Sequence, residues 1–69
     1  MALDDNNPLS KKEMSALKLA SEGLKNQDIA RSLFLSEGTV INYLSETISK
    51  LDTTSRVDAA RIAKQKGWF

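Results

Sequence analysis

The sequence predicts an all-α domain of four helices, and three observations carry that prediction. Apolar residues recur at spacings of three and four through most of the chain, the period of a helix buried on one face. Ser10 and Ser36 stand where helix starts want a cap, and Asp52-Thr53-Thr54-Ser55 interrupts the period with turn and cap formers. No stretch alternates apolar and polar residues as a strand does, and no internal repeat or low-complexity tract is present.

The chain has 69 residues, enough for one small domain, and 41% of them are hydrophobic. A chain of this size buries only about 60% of the surface its unfolded form exposes, so its stability is modest. With neither Cys nor His, it lacks a disulfide framework, a Cys-based zinc site and the commonest general base. No cofactor or metal is expected. The apolar runs are far shorter than the roughly 20 residues of a membrane span, and no signal-peptide pattern opens the chain. A soluble cytoplasmic protein without membrane contact is the default. The net charge is only +1, but all ten basic residues and just seven of the nine acids lie after residue 9. That distribution permits nucleic-acid binding without requiring it.

Residues 1–8 carry no periodicity and hold the only Pro; they read as a flexible leader or linker remnant, with the domain at 9–69. Ser10-x-x-Glu13 has the form of a capping box, and Leu9 with Met14 forms the accompanying hydrophobic staple. The first helix then runs from about 11 to 22, with Met14, Leu17, Ala20 and Leu24 inward and Gly23 as its left-handed stop. A short second helix begins near Lys25 or Asn26, with Asn26 as its cap, and ends at Phe34; Ile29, Ala30 and Leu33 face inward. Leu35 fills the turn and Ser36 caps the third helix, whose Val40, Leu44, Ile48 and Leu51 form one stripe. A fourth helix from about Arg56 to Lys66 carries Val57, Ala60, Ile62 and Ala63, and Gly67 ends it. Trp68 is expected to cover the core edge.

The second and third helices have the form of a helix-turn-helix. In that unit one helix braces a second, whose N-terminal part enters the major groove of DNA. A small residue is needed where the helices cross, and Ala30 supplies it; Val40 supplies the apolar anchor ten residues on. The elements Leu9-Ser10-x-x-Glu13, Leu17-x-Leu19-Ala20-x-x-Gly23-Leu24 and Asn26-x-x-Ile29-Ala30-x-x-Leu33 resemble the LuxR/NarL-type DNA-binding domain. Leu35-Ser36-x-x-Thr39-Val40, Lys50-Leu51, Arg56-x-x-Ala59-Ala60 and Gly67 continue the resemblance over 9–69. The segment from Leu35 to Ser45, with Lys66-Gly67-Trp68, is most similar to the effector domains of DesR-type two-component response regulators.

The resemblance implies a four-helix effector domain that binds double-stranded promoter DNA as a homodimer, normally within a longer chain bearing a receiver domain, although some members of the family are short and stand alone. Its base-reading positions fall on Ile41, Asn42 and Ser45. A Lys or Arg is usual where Ile41 stands, and Ile41 offers only an apolar contact, for example to a thymine methyl. Lys25 replaces the usual Ser or Thr cap. Lys25, Asn26 and Lys50 match phosphate-contacting positions, and Ser36 and Thr39 stand where a phosphate docks on a helix start. Glu37 would repel such a phosphate. Val57, Ala60, Arg61 and Lys64 are the candidate dimer face; the plainer reading packs Ala60 and Ala63 onto the first helix. Arg56 is expected to pair with Glu13. Two alternatives stand beside this reading: a protein-interaction module on the same fold, and region 4 of a sigma factor. With no clustered catalytic groups and no phosphate cradle, an enzyme is the least favoured class.

Overall fold

A computed structural model describes residues 8–69. The expected leader lies outside the described residues apart from Pro8. Four helices follow, α1 (Lys11–Ser21), α2 (Asn26–Leu33), α3 (Glu37–Lys50) and α4 (Arg56–Gln65), with no strand among the described residues.

The caps set where each helix starts. Ser10 Oγ accepts from the Glu13 amide at 3.2 Å while Glu13 Oε1 accepts from the Ser10 amide at 2.8 Å, so the capping box is complete. Leu9 is buried and Met14 packs against the same core, as the staple requires. Ser36 and Ser55 cap α3 and α4 in the same manner, accepting from the amides of Thr39 and Asp58. The start of α2 differs from expectation. Lys25 is the cap residue and makes no side-chain cap bond, while Asn26 is already helical. Its side chain is drawn elsewhere: Oδ1 of Asn26 accepts from Arg56 Nη1 at 2.7 Å.

All four helices stop by one device. A residue in the left-handed region follows the helix, and the next amide reaches back to a carbonyl five residues earlier. The pairs are Leu24 to Leu19, Leu35 to Ala30, Thr53 to Ile48 and Trp68 to Ala63, at 2.9–3.3 Å. Gly23 and Gly67 supply the left-handed residue after α1 and α4, with φ of 91° and 74°. After α2 and α3 it is Phe34 and Asp52, at 57° and 55°. Aspartate tolerates that conformation better than most residues; phenylalanine does not.

α1 packs against the other three helices, and α3 packs against α2 and α4; α2 and α4 do not pack on one another. The buried core comprises Leu9, Ala16, Leu17, Ile29, Ala30, Val40, Leu44, Ala59, Ala60 and Ala63. Alanines at the crossings let the short helices approach closely. Ile48 and Leu51 continue the α3 stripe at the core's edge, joined by Trp68. Thr47, fully buried, is absent from the predicted stripe; its hydroxyl donates to the Tyr43 carbonyl at 2.8 Å, which satisfies it in apolar surroundings.

The expected Glu13–Arg56 pair is not formed. Glu13 instead holds Lys50, whose Nζ donates to Oε1 at 2.8 Å and Oε2 at 3.1 Å. Lys50 closes α3, which packs directly on α1, whereas Arg56 is taken by Asn26. Burial opposes ionisation of Glu13, but the Lys50 bond, the Ser10 amide and the Lys50 charge outweigh it and hold its pKa below the ordinary 4.5. Lys50 is raised from 10.5 by the Glu13 hydrogen bond, despite some desolvation, with Glu13 and Glu46 adding their charges.

Two expectations follow. A lowered carboxylate stabilises the fold above its ordinary value and loses that contribution as the pH falls through the folded value. A raised lysine contributes below its ordinary value and loses the contribution as the pH rises. The pair therefore stabilises between about pH 4.5 and 10.5. Glu13→Gln should lower the urea midpoint at neutral pH and flatten the acid-side decline; an unchanged acid limb would mean that Glu13 does not govern it. Phe34 is 94% exposed, so removing its side chain forfeits little packing while relieving its left-handed backbone. Phe34→Gly should stabilise the domain by about 1 kcal/mol in urea titration.

Candidate nucleic-acid interface

α3 turns Val40, Leu44 and Thr47 into the core, so helical geometry fixes what it shows outward. Gly38, Asn42, Ser45 and Ser49 form an exposed stripe opposite the core, with Ile41 on one flank. The stripe holds no acid; Glu37 and Glu46 lie to either side of it. The side chains of Asn42 and Ser45 make no hydrogen bond within the described residues, so their polar groups are free to meet a ligand. Ile41 is 47% exposed. The three predicted base-reading positions thus lie side by side on one outward surface.

At the start of α3 the Ser36 and Thr39 hydroxyls are 2.8 Å apart and share a hydrogen bond. The first amides of the helix have no intrahelical acceptor, as at any helix start, and face the end of the stripe. Gly38 sits there in ordinary helical conformation, and a Cβ added to it would meet nothing within 4 Å. Neither packing nor backbone geometry asks for glycine, which costs about 0.5–1 kcal/mol against alanine in a helix. What its missing side chain leaves is room for another backbone to approach. Gly38 was not among the predicted site residues, although an exposed glycine inside a capped helix is a signal legible in sequence.

The start of α2, unlike that of α3, has no side-chain cap. Lys25 is exposed there, and its carbonyl accepts from the Asp28 and Ile29 amides at 3.0 Å each. Its ammonium has no acidic partner among the described residues. Asn26 is half-buried and turned toward Arg56. Lys50 is not available in the same way. Its Nζ bonds both oxygens of the buried Glu13 carboxylate, so the expected phosphate contact would compete with an ion pair inside the fold.

On α4 the predicted dimer face divides. Val57 is 66% exposed, and Arg61 and Lys64 follow it at helical spacing on the same outer surface. Ala60 does not belong with them: it is 7% exposed, packed into the core with Ala59 and Ala63. One residue is about 100° of rotation on a helix, and alanine suits either side. Arg61 also approaches Asp58, at 3.6 Å. Among the described residues no cluster of acids could hold a metal ion, and no helix is long and apolar enough to cross a membrane.

Comparison with known proteins agrees with this geometry. Residues 7–63 match the GerE family, the bacterial regulatory proteins of the luxR family. The transcriptional regulatory protein YvfU of Bacillus subtilis is 50% identical over 65 residues, 94% of this chain and 32% of YvfU. The transcriptional regulatory protein DesR of the same organism is 40% identical over 63 residues, 91% of this chain and 32% of DesR. The response regulator RamR of Streptomyces coelicolor is 44% identical over 61 residues, 88% of this chain and 30% of RamR. The chain therefore spans about a third of the length of these relatives. Its four helices, its helix-turn-helix and the match over 7–63 together place it: the chain belongs to the LuxR family of bacterial regulatory proteins.

Proposed function

We propose that this chain is the DNA-binding effector domain of a bacterial transcriptional regulator of the response-regulator type. α3 reads the major groove, α2 and the start of α3 hold phosphates, and the Val57, Arg61 and Lys64 stripe of α4 pairs two copies on DNA. The observation that carries the reading is the exposed, acid-free stripe on α3, with the Ser36-capped start of α3 at its end and the uncapped start of α2 as a further anion contact. Base edges offer donors and acceptors to Asn42 and Ser45, and a thymine methyl to Ile41. Phosphates meet Lys25, Asn26, Ser36 and Thr39, where helix dipoles favour anions. The relatives' names support a regulatory role, and RamR is named a response regulator. A receiver domain joined to this one belongs to the same proposal.

Selection of bound duplexes from a random-sequence pool, at two salt concentrations, tests the reading. Recovery of a repeated half-site with fixed spacing is the expected result. Recovery of nothing would favour a protein-interaction module, for which the exposed Phe34 and Ile41 are the ready surface.

Two contrasts sharpen it. Asn42→Ala should weaken binding to the selected sequence by about 1–3 kcal/mol and leave non-specific binding nearly unchanged. Equal losses on every duplex would remove Asn42 from base reading. Lys25→Ala should lower the slope of log affinity against log salt by about one unit. Lys50→Ala, by contrast, should lower thermal stability and leave that slope near the wild-type value, because Glu13 already neutralises Lys50.

A further inference from the structure

Arg56 is half-buried, and no carboxylate pairs with it among the described residues. Its one side-chain hydrogen bond among the described residues, from Nη1 to Asn26 Oδ1 at 2.7 Å, joins the start of α4 to the start of α2. Those helices do not pack on one another, so the arginine side chain spans the gap between them. A guanidinium has only donors. The Asn26 carboxamide must therefore turn its oxygen toward Arg56 and its NH2 group away.

Where that NH2 group goes is constrained as well. Among the described residues Asn26 Nδ2 donates to nothing, and no buried side-chain nitrogen or oxygen lacks a partner. The NH2 group therefore reaches the surface, beside Lys25. This is the one helix start of the four where no side chain closes on the amides. Without Arg56, the carboxamide is free to turn its oxygen outward, and an outward oxygen repels an anion.

We propose that Arg56 is a positioning residue for DNA binding: it fixes the Asn26 carboxamide with its NH2 group outward, as a donor to the sugar–phosphate backbone. The inference rests on the DNA-binding reading above. It links the phosphate contact at α2 to the seating of α4, through a residue that touches no DNA. Ordering the amide in advance spares its rotational freedom on binding.

The test compares the wild type with Asn26→Ala, Arg56→Met, the double variant and Arg56→Lys, on one duplex across a salt series. Thermal unfolding of each variant reports folding separately. Asn26→Ala and Arg56→Met should each weaken binding by about fivefold to tenfold, the worth of one hydrogen bond. In the Asn26→Ala background, Arg56→Met should add less than about a twofold change, because coupled residues lose their effect together. The salt slope of Arg56→Met should stay within about half a unit of wild type, since a neutral amide displaces no counterion. Arg56→Lys keeps a donor and should restore most of the loss. Multiplying losses in the double variant, or a slope lower by about one, would mean that Arg56 meets phosphate itself and would overturn the proposal. So would wild-type affinity in Arg56→Met. Should that variant not fold, the side-chain NH2 resonances of Asn26 in the wild type decide: they should shift on adding DNA, and no shift overturns the proposal. A wild type that binds no duplex at all would instead bring down the DNA-binding reading on which this one stands.

Discussion

The Glu13 carboxylate is the constraint on which the rest of the arrangement depends. A buried carboxylate is tolerated only when its oxygens are met by donors, and here the Ser10 amide and the Lys50 ammonium meet them. The first closes the start of α1; the second pins the last turn of α3. Because α1 packs against every other helix, fixing α3 along α1 also fixes where the outer stripe of α3 stands relative to the start of α2. The same bond explains why a lysine near the expected interface is spent on the fold. Pulling Lys50 toward a phosphate would leave a buried anion unpaired, and that cost exceeds what one exposed phosphate contact returns.

The helix ends tell a parallel story. Three starts have a serine bonded to the third amide, and all four stops use a left-handed residue with a backward-reaching amide. Against such regularity the departures stand out. Lys25 leaves the α2 amides uncapped, Gly38 weakens α3 without a packing reason, and Phe34 holds a bulky side chain in a glycine's conformation. All three border the helix-turn-helix. Proteins break local rules chiefly where function asks for it, and in the proposed function the first two departures open the helix starts to phosphates. For Phe34 no contact among the described residues offers a reason.

Most of the fold was legible in the sequence because its signals are local. A capping box, a helix stop and a one-faced apolar stripe each lie within a few residues, so Ser10, Gly23, Ser36 and the Val40–Leu44 stripe could be placed directly. The site was legible to the extent that it rests on helical rotation, which puts Ile41, Asn42 and Ser45 together. Long-range choices were not legible. Glu13 had two distant cations to choose from, Lys50 and Arg56, and only the packing of α3 on α1 decides between them. That choice, in turn, frees Arg56 for Asn26 and moves the cap of α2 back to Lys25. The burial of Ala60 was illegible for a different reason: alanine carries no strong preference for core or surface, so its side of α4 is set by its neighbours.

The distribution of charge bears on how such a domain would work. Lys50 is neutralised by Glu13, and Arg61 lies near Asp58, while the stripe on α3 is itself uncharged. The cation that closes α3 is therefore already engaged within the fold, and each phosphate neutralised adds to an affinity that salt erodes. A single domain of this kind would hold DNA weakly and discriminate through neutral hydrogen bonds and an apolar contact. Two copies joined along the exposed side of α4 would bind adjoining half-sites as one unit, the second at the high effective concentration set by the first. In the proposed function, the weak charge of the single domain is then an advantage, because occupancy requires both half-sites and random duplex offers little hold.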